Sequence, residues 1–284
     1  MPTPTLTEIL ALPFMQNALA AALLVSIACG LIGTLVVVNR LVLLSGGIAH
    51  TAYGGVGLAL YAGWPVLPTT LGFTAGAALL LGALTHQRRE RADAVIGALW
   101  SAGMALGTIL INLTPGYAAD VMSYLFGSIL TVSRADLAHM TVLNLVMLVT
   151  VLGLYRPIFA MSFDEDFARS RGVAADVLYL VLLALVALSV VVLIQVVGLI
   201  LVIALLTIPP ATAEKHTRSL HTMMAAAMAW GALYCAVGLW LSFVFDLNSG
   251  ASIVAAASTG YLLVSLVHRL LARRMAAEPE AAAS

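Results

Sequence analysis

Residues 43–60 read LLSGGIAHTAYGGVGLAL, a stretch without one charged side chain in which His50 stands among Gly46, Gly47, Gly54, Gly55 and Gly57. A run of about 20 apolar residues is long enough, as a helix, to cross a bilayer core of roughly 30 Å. Runs of this kind recur along the whole chain, so the reading of this one decides the class of all of them. The chain is a membrane protein built of helices, and the question is why an imidazole lies inside one.

Composition supports the same class. The 284 residues are 62% hydrophobic and only 9% charged, whereas a soluble domain needs far more charge to cover its surface. A transmembrane barrel would show alternating segments of ~10 residues instead. No polar stretch is long enough for a separate soluble domain. The expected architecture is therefore all-α, a polytopic transmembrane bundle in one domain over 1–284, with the bundle at 16–272 and a flexible cytoplasmic tail at 273–284. The first apolar segment, Ala18 to Val38, reads as a span, since no basic stretch precedes it as in a secretory signal. Cys29 and Cys235 both fall within apolar runs, which argues against a disulfide framework and against a thiolate metal site.

Nine spans are expected, at 16–38, 42–62, 66–85, 94–113, 136–155, 177–194, 196–213, 222–245 and 251–271. With Arg40 in the cytoplasm, alternation places Arg88, Arg89, Arg91, Arg156, Arg169, Arg171, Lys215, Arg218, Arg269, Arg273 and Arg274 on that same side, and only Arg134 on the other. Basic bias of this kind sets membrane orientation. It puts the N-terminus outside and the C-terminus in the cytoplasm. The scheme holds only if residues 120–133, DVMSYLFGSILTVS, do not cross; they are expected to form a short re-entrant or interfacial helix. The turn at 195–198 is equally tight, and irregular backbone at such depth must be buried in protein or line a wet cavity. Pro209 and Pro210 are expected to stop the seventh span where a cytoplasmic loop begins.

Polar groups at membrane depth are few: His50, Asp120, Gln195 and scattered hydroxyls. An ionisable group there is costly, and so is a candidate for function. A neutral imidazole binds divalent transition metals. Two readings of His50 stay open, a ligand on a cation route or a histidine hydrogen-bonded within a bundle whose glycines serve close packing. Asp120 has a structural use as the N-cap of the short helix and a functional one on the same route. On the cytoplasmic side, SFDEDFARSRGV (162–173) carries acids early, bases late and a closing glycine. That order suits a short helix lying on the membrane face, spanning 163–171 and ending at Gly172. It is either a solvated connector or a docking helix with Phe167 as anchor. No P-loop pattern occurs, Lys215 is the only lysine, and neither G-x-S-x-G nor H-E-x-x-H appears, so no catalysis is expected of this chain.

Four segments together resemble the permease subunits of the ABC transporters that move zinc, manganese and iron, over about Ala18 to Leu271. LLSGGIAHTAYGGVGLA is similar to that family's Gly-Asp-x-x-Ser/Ala-His segment, and DVMSYLFGSILTVSRADL (120–137) to its Asp-Leu-Met-x-Tyr-Leu-Phe-Gly stretch with the Thr/Ser-x-x-Asp-Leu that follows. SFDEDFARSRGV resembles the loop that docks on the ATPase, and VVGLILVIALLTIPPATA (196–213) the family's Pro-Ala-Ala segment. The resemblance implies a type II importer-like permease in the bacterial inner membrane, a homodimer of this chain served by two cytoplasmic ATPase subunits and an extracytoplasmic metal-binding protein. No nucleic acid is implied. Zinc, manganese or iron would be cargo, with His50 and Asp120 on the translocation pathway and His50 as the metal contact. Phe163, Asp164, Glu165, Phe167, Arg169 and Gly172 would form the helix that couples to the ATPase. Two departures stand out. The family's acid four residues before the histidine is Gly46 here, and FDLNSGAS (245–252) lacks the proline usual between its acid and its glycine. Two competing readings remain: a permease for a metal chelate such as a siderophore or cobalamin, and a membrane scaffold that transports nothing.

Overall fold

The computed structural model describes residues 12–85, 92–115, 127 and 129–281. The chain forms helices α1 (Pro13–Val38), α2 (Val42–Ala62), α3 (Val66–Thr85), α4 (Ala92–Asn112), a single 3₁₀ turn at Ile129–Thr131, then α5 (Arg134–Gly153), α6 (Tyr155–Phe163), α7 (Glu165–Ser170), α8 (Ala175–Val197), α9 (Leu199–Glu214), α10 (Leu220–Phe245) and α11 (Ser249–Ala281). Among the described residues there is no strand, and the all-α fold expected from composition is the fold observed. Among the described residues eight helices are long and apolar enough to cross a membrane. The expected ninth, α9, has only 16 residues. At 1.5 Å per residue it is ~24 Å long, short of a bilayer core of about 30 Å.

Among the spanning helices three make the interior. Helices α1, α2 and α8 bury most of their side chains, while α3, α4, α5, α10 and α11 leave most of theirs at the surface. The exposed side chains are themselves apolar, for example Val142, Leu145, Val149 and Leu152 on α5, and Leu262, Leu263, Leu266 and Val267 on α11. Apolar belts of this extent suit lipid and not water.

The path of the chain can be followed from one end of the bundle to the other. A cavity of about 590 Å³ opens at one end, lined by Arg40, Leu41, Thr85, Asp93, Ser162, Phe163 and Ala175 among others. The α1–α2 turn, the end of α3, the start of α4, the end of α6 and the start of α8 therefore share that end. At the opposite end, Asn17 near the start of α1 donates to the Val132 carbonyl at 3.2 Å. So α4 carries the chain away from the cavity, and α5 begins at the far end and brings it back. The chain thus leaves α4 and enters α5 at the same end of the bundle. Most of 120–133, with Asp120, lies outside the described residues. Helix α5 opens on a capping box, in which the Ser133 Oγ accepts from the Asp136 N–H at 3.2 Å and the Asp136 carboxylate accepts from the Ser133 N–H at 3.0 Å. That reciprocal cap is the physical content of the Ser-x-x-Asp in TVSRADL. Helix α9, reached through Gly198 at φ 77°, returns to the cavity end, where the cluster of Ala213, Met223 and Ala227 packs against Val37 and Val38.

One expectation is overturned in α9. Pro209 and Pro210 do not stop the helix but lie inside it, and it continues to Glu214. The reason is visible in the partner. A proline nitrogen cannot donate to the carbonyl four residues back, which frees the Leu205 and Leu206 oxygens. Helix α1 approaches one of them through Gly33: a β-carbon placed there would lie 2.4 Å from the Leu206 oxygen and 3.0 Å from Pro210 Cγ. Gly33 closes the π-helical turn Cys29–Gly33 of α1, and a β-carbon on Gly30 in that turn would meet Met228 of α10 at 2.3 Å. The wider turn and its two glycines let α1 nest against α9 and α10, and tertiary packing carries the helix past its prolines. Gly33→Val is expected to destabilise the folded bundle by about 1–3 kcal/mol through overpacking against backbone. The measurement is the thermal unfolding midpoint in detergent, and an unchanged midpoint would contradict the α1–α9 contact.

Candidate functional site

The environment of His50 is built by helix packing. Helix α4 lies close enough to α2 for backbone to touch backbone. A β-carbon on Gly103 would fall 2.5 Å from the Thr51 Cα, one on Gly107 2.6 Å from the Tyr53 oxygen, and one on Gly57 2.7 Å from the Gly107 Cα. Gly47 meets Ile96 at 2.7 Å, and Gly55 meets Thr70 of α3 at 3.0 Å. The Thr51 hydroxyl donates to the Gly47 carbonyl at 2.7 Å and lies 3.2 Å from the Leu99 carbonyl across the interface. These glycines are there for close approach, which is the packing half of the choice the sequence left open. Gly46 is different. A β-carbon there would meet only Trp100 Cζ3, at 3.8 Å, an ordinary contact.

His50 itself lies about two turns into α2, ~12 Å along the axis from its start. Its Nδ1 is 2.9 Å from the Gly46 carbonyl oxygen. A carbonyl only accepts, so Nδ1 carries the proton in this bond and the neutral ring keeps its lone pair on Nε2. That nitrogen can bind a cation. The ring is half-buried and stacks on Trp100 of α4, with centroids 3.8 Å apart and planes 22° from parallel. Sequence reasoning did not single out Trp100, because an indole within an apolar span carries no signal of what it touches. Among the described residues no group of three or more His, Cys, Asp or Glu is placed to hold a metal ion. His50 is thus a candidate ligand with no cluster of others beside it among the described residues, and Asp120 lies outside them.

The second element is α7, at the cavity end. The Asp164 carboxylate accepts from the Phe167 N–H at 2.9 Å and caps it. Gly172, at φ 81°, ends the turn that follows. Acids at the start and bases at the end are where the sequence placed them. The helix is shorter than the expected 163–171, however, and Ser162 does not open it. Ser162 and Phe163 belong to α6, the Ser162 hydroxyl accepts from Asn39 Nδ2 at 3.0 Å, and the backbone breaks at Asp164 in an extended conformation (φ −151°, ψ 98°). The cap demands that break, since an N-cap residue leaves helical backbone to present its side chain. Arg169 pairs with Glu165 at 2.9 Å and with Asp176 at the start of α8, and these carboxylates, Asp176 foremost, raise the guanidinium above its ordinary pKa. Ala168 is buried, while Phe163 and Phe167 are 65% and 52% exposed. Arg171 lies 5.4 Å over the Phe167 ring. Two large aromatic side chains thus stand out on a charged surface.

A bundle of spanning helices thus carries a histidine at membrane depth and a capped, charged helix at one end. Residues 11–268 match the ABC 3 transport family, and the chain belongs to it. It is 48% identical over 256 residues to an uncharacterised membrane protein of Synechocystis, covering 90% of this chain and 91% of that one. It is 34% identical to the manganese transport system membrane protein MntC of Halalkalibacterium halodurans, over 90% of this chain and 88% of that one. Among solved structures, PsaBC from Streptococcus pneumoniae in complex with a Fab superposes with a TM-score of 0.82 at 29% identity, over 91% of this chain and 93% of that one. The chain is a membrane permease subunit of an ABC transporter and not an enzyme. The contrast among its glycines is testable. Gly103→Ala is expected to lose about 1–3 kcal/mol of stability to overpacking, whereas Gly46→Ala, with room to spare, is expected to gain up to ~1 kcal/mol from helix propensity. Paired thermal unfolding in detergent checks both.

Proposed function

We propose that the chain forms the membrane pathway of an importer for a divalent transition metal cation, with manganese the first candidate and zinc and iron the others. Two copies would enclose the route on a twofold axis. A separate ATPase would drive it from the cytoplasm, and an extracytoplasmic binding protein would deliver the metal. The observation that carries this reading is the Nε2 lone pair of His50, freed by the Nδ1–Gly46 bond on a ring only half-buried at membrane depth. One imidazole is an incomplete ligand set; a twofold mate would contribute a second, and Asp120 is a further candidate oxygen ligand. The names of similar proteins support manganese. The absence of a carboxylate at Gly46 keeps zinc and iron beside it, since carboxylate is a ligand that suits manganese.

The cavity end would face the cytoplasm of a bacterial inner membrane, with the N-terminus outside. Arg40, Lys215, Arg218 and α7 all gather there, and basic residues favour that side. Helix α7 with Phe163, Asp164, Glu165, Phe167, Arg169 and Gly172 would be the surface that meets the ATPase, with Phe167 as its anchor.

Two variants test the two halves. His50→Ala is expected to lower uptake of Mn²⁺ at limiting metal by about tenfold or more, as the loss of a metal contact does. Transport at the wild-type rate would remove His50 from the pathway. Phe167→Asp keeps the backbone N–H that Asp164 caps, so α7 should still form. The variant is expected to insert normally and to bind the ATPase more weakly by about 2 kcal/mol, ~30-fold in Kd, the typical weight of a buried aromatic anchor. Co-purification of the ATPase at the wild-type ratio would refute the docking role.

A further inference from the structure

We propose that Trp100 is a positioning residue for His50: its indole, stacked from the neighbouring helix, holds the imidazole in the plane that aims Nε2 at a passing divalent cation. The proposal rests on the reading of His50 as a cation contact and names what fixes its geometry. Among the described residues the ring has one hydrogen bond, from Nδ1 to the Gly46 carbonyl at 2.9 Å. A single bond pins one atom and leaves the ring free to tilt about it. Gly46, one turn earlier on the same face, has no side chain to support the ring. Trp100 supplies the missing contact, with its centroid 3.8 Å from that of the imidazole, planes 22° apart, and Cζ3 lying over the position where a Gly46 side chain would begin. The indole is itself held, because α4 is locked to α2 through the backbone contacts at Gly103 and Gly107, one and two turns further on. Indole nitrogen donates only and offers no lone pair. Trp100 thus orients the ligand without competing for the cation, the usual work of a group behind a metal-binding side chain.

The experiment uses the full transporter, permease with its ATPase and its metal-binding protein, in proteoliposomes, and follows Mn²⁺ uptake. Trp100→Leu is expected to raise the KM for Mn²⁺ about tenfold with little change in maximal rate, because orientation of the contact is lost and the transport cycle is not. Trp100→Phe, which keeps a flat ring, is expected to restore most of the affinity. In His50→Ala, adding Trp100→Leu is expected to cost nothing further, since the two act through one contact. An unchanged KM in Trp100→Leu, equal losses in the Leu and Phe variants, or an additive double variant would each overturn the proposal. If Trp100→Leu does not insert, Trp100→Met is the second variant without a ring and is judged by the same outcomes. If His50→Ala transports normally, the reading of His50 fails and this proposal with it. If His50→Ala loses uptake while Trp100→Leu does not, only the role of Trp100 fails.

Discussion

The close approach of α2 and α4 is the constraint on which the rest depends. With no hydrophobic drive between helices in lipid, association relies on packing and on satisfied polar groups. Here the distance is set by glycines on both helices, Gly57 against Gly107 and Gly103 against Thr51. At that distance the Thr51 hydroxyl reaches both the Gly47 and the Leu99 carbonyls, and Trp100 reaches across to His50. Larger side chains at these positions would force the helices apart and undo the stack together with the hydrogen bond. The glycine-rich stretch around the histidine is therefore explained mostly by geometry. It makes a dense seam, and the imidazole occupies the one place along it, beside Gly46, where the seam is loose.

The same principle operates where α1 meets α9 and α10. The π-helical turn of α1 brings Gly30 and Gly33 against Met228 and the Leu206 carbonyl. An oxygen left without a helical donor by Pro210 is buried there against a neighbouring backbone, where a larger residue would collide with it. In both places an irregular or weakened piece of helix is tolerated because a second helix fits it closely, which is the condition for broken backbone inside a membrane.

The architecture was largely legible in the sequence. Apolar runs and the grouping of basic residues gave the spans, the turns and the shared end of Arg40, α7 and Lys215, because burial in lipid and charge at its face are properties of individual residues in order. The far end of α7 was legible too, since Gly172 as a terminator acts locally, whereas its start at the Asp164 cap was not. What depends on contact between distant segments was not. Two adjacent prolines signal a stop, and only the fit of Gly33 against Leu206 shows why α9 continues. Ser162 reads as the start of a helix until Asn39 is seen to bond it into the end of another. Trp100 has no local pattern at all. Its meaning comes from a ring 50 positions away.

The link between α7 and the interior is made of charge. Arg169 joins Glu165 within α7 to Asp176 on the first turn of α8, and α8 is among the most deeply buried helices. That ionic clasp and the short turn at Gly172 join α7 to α8. The clasp is exposed, and exposed ion pairs weaken as salt rises. The tie between the surface of this protein and its core is thus one that the salt of the surrounding fluid can loosen.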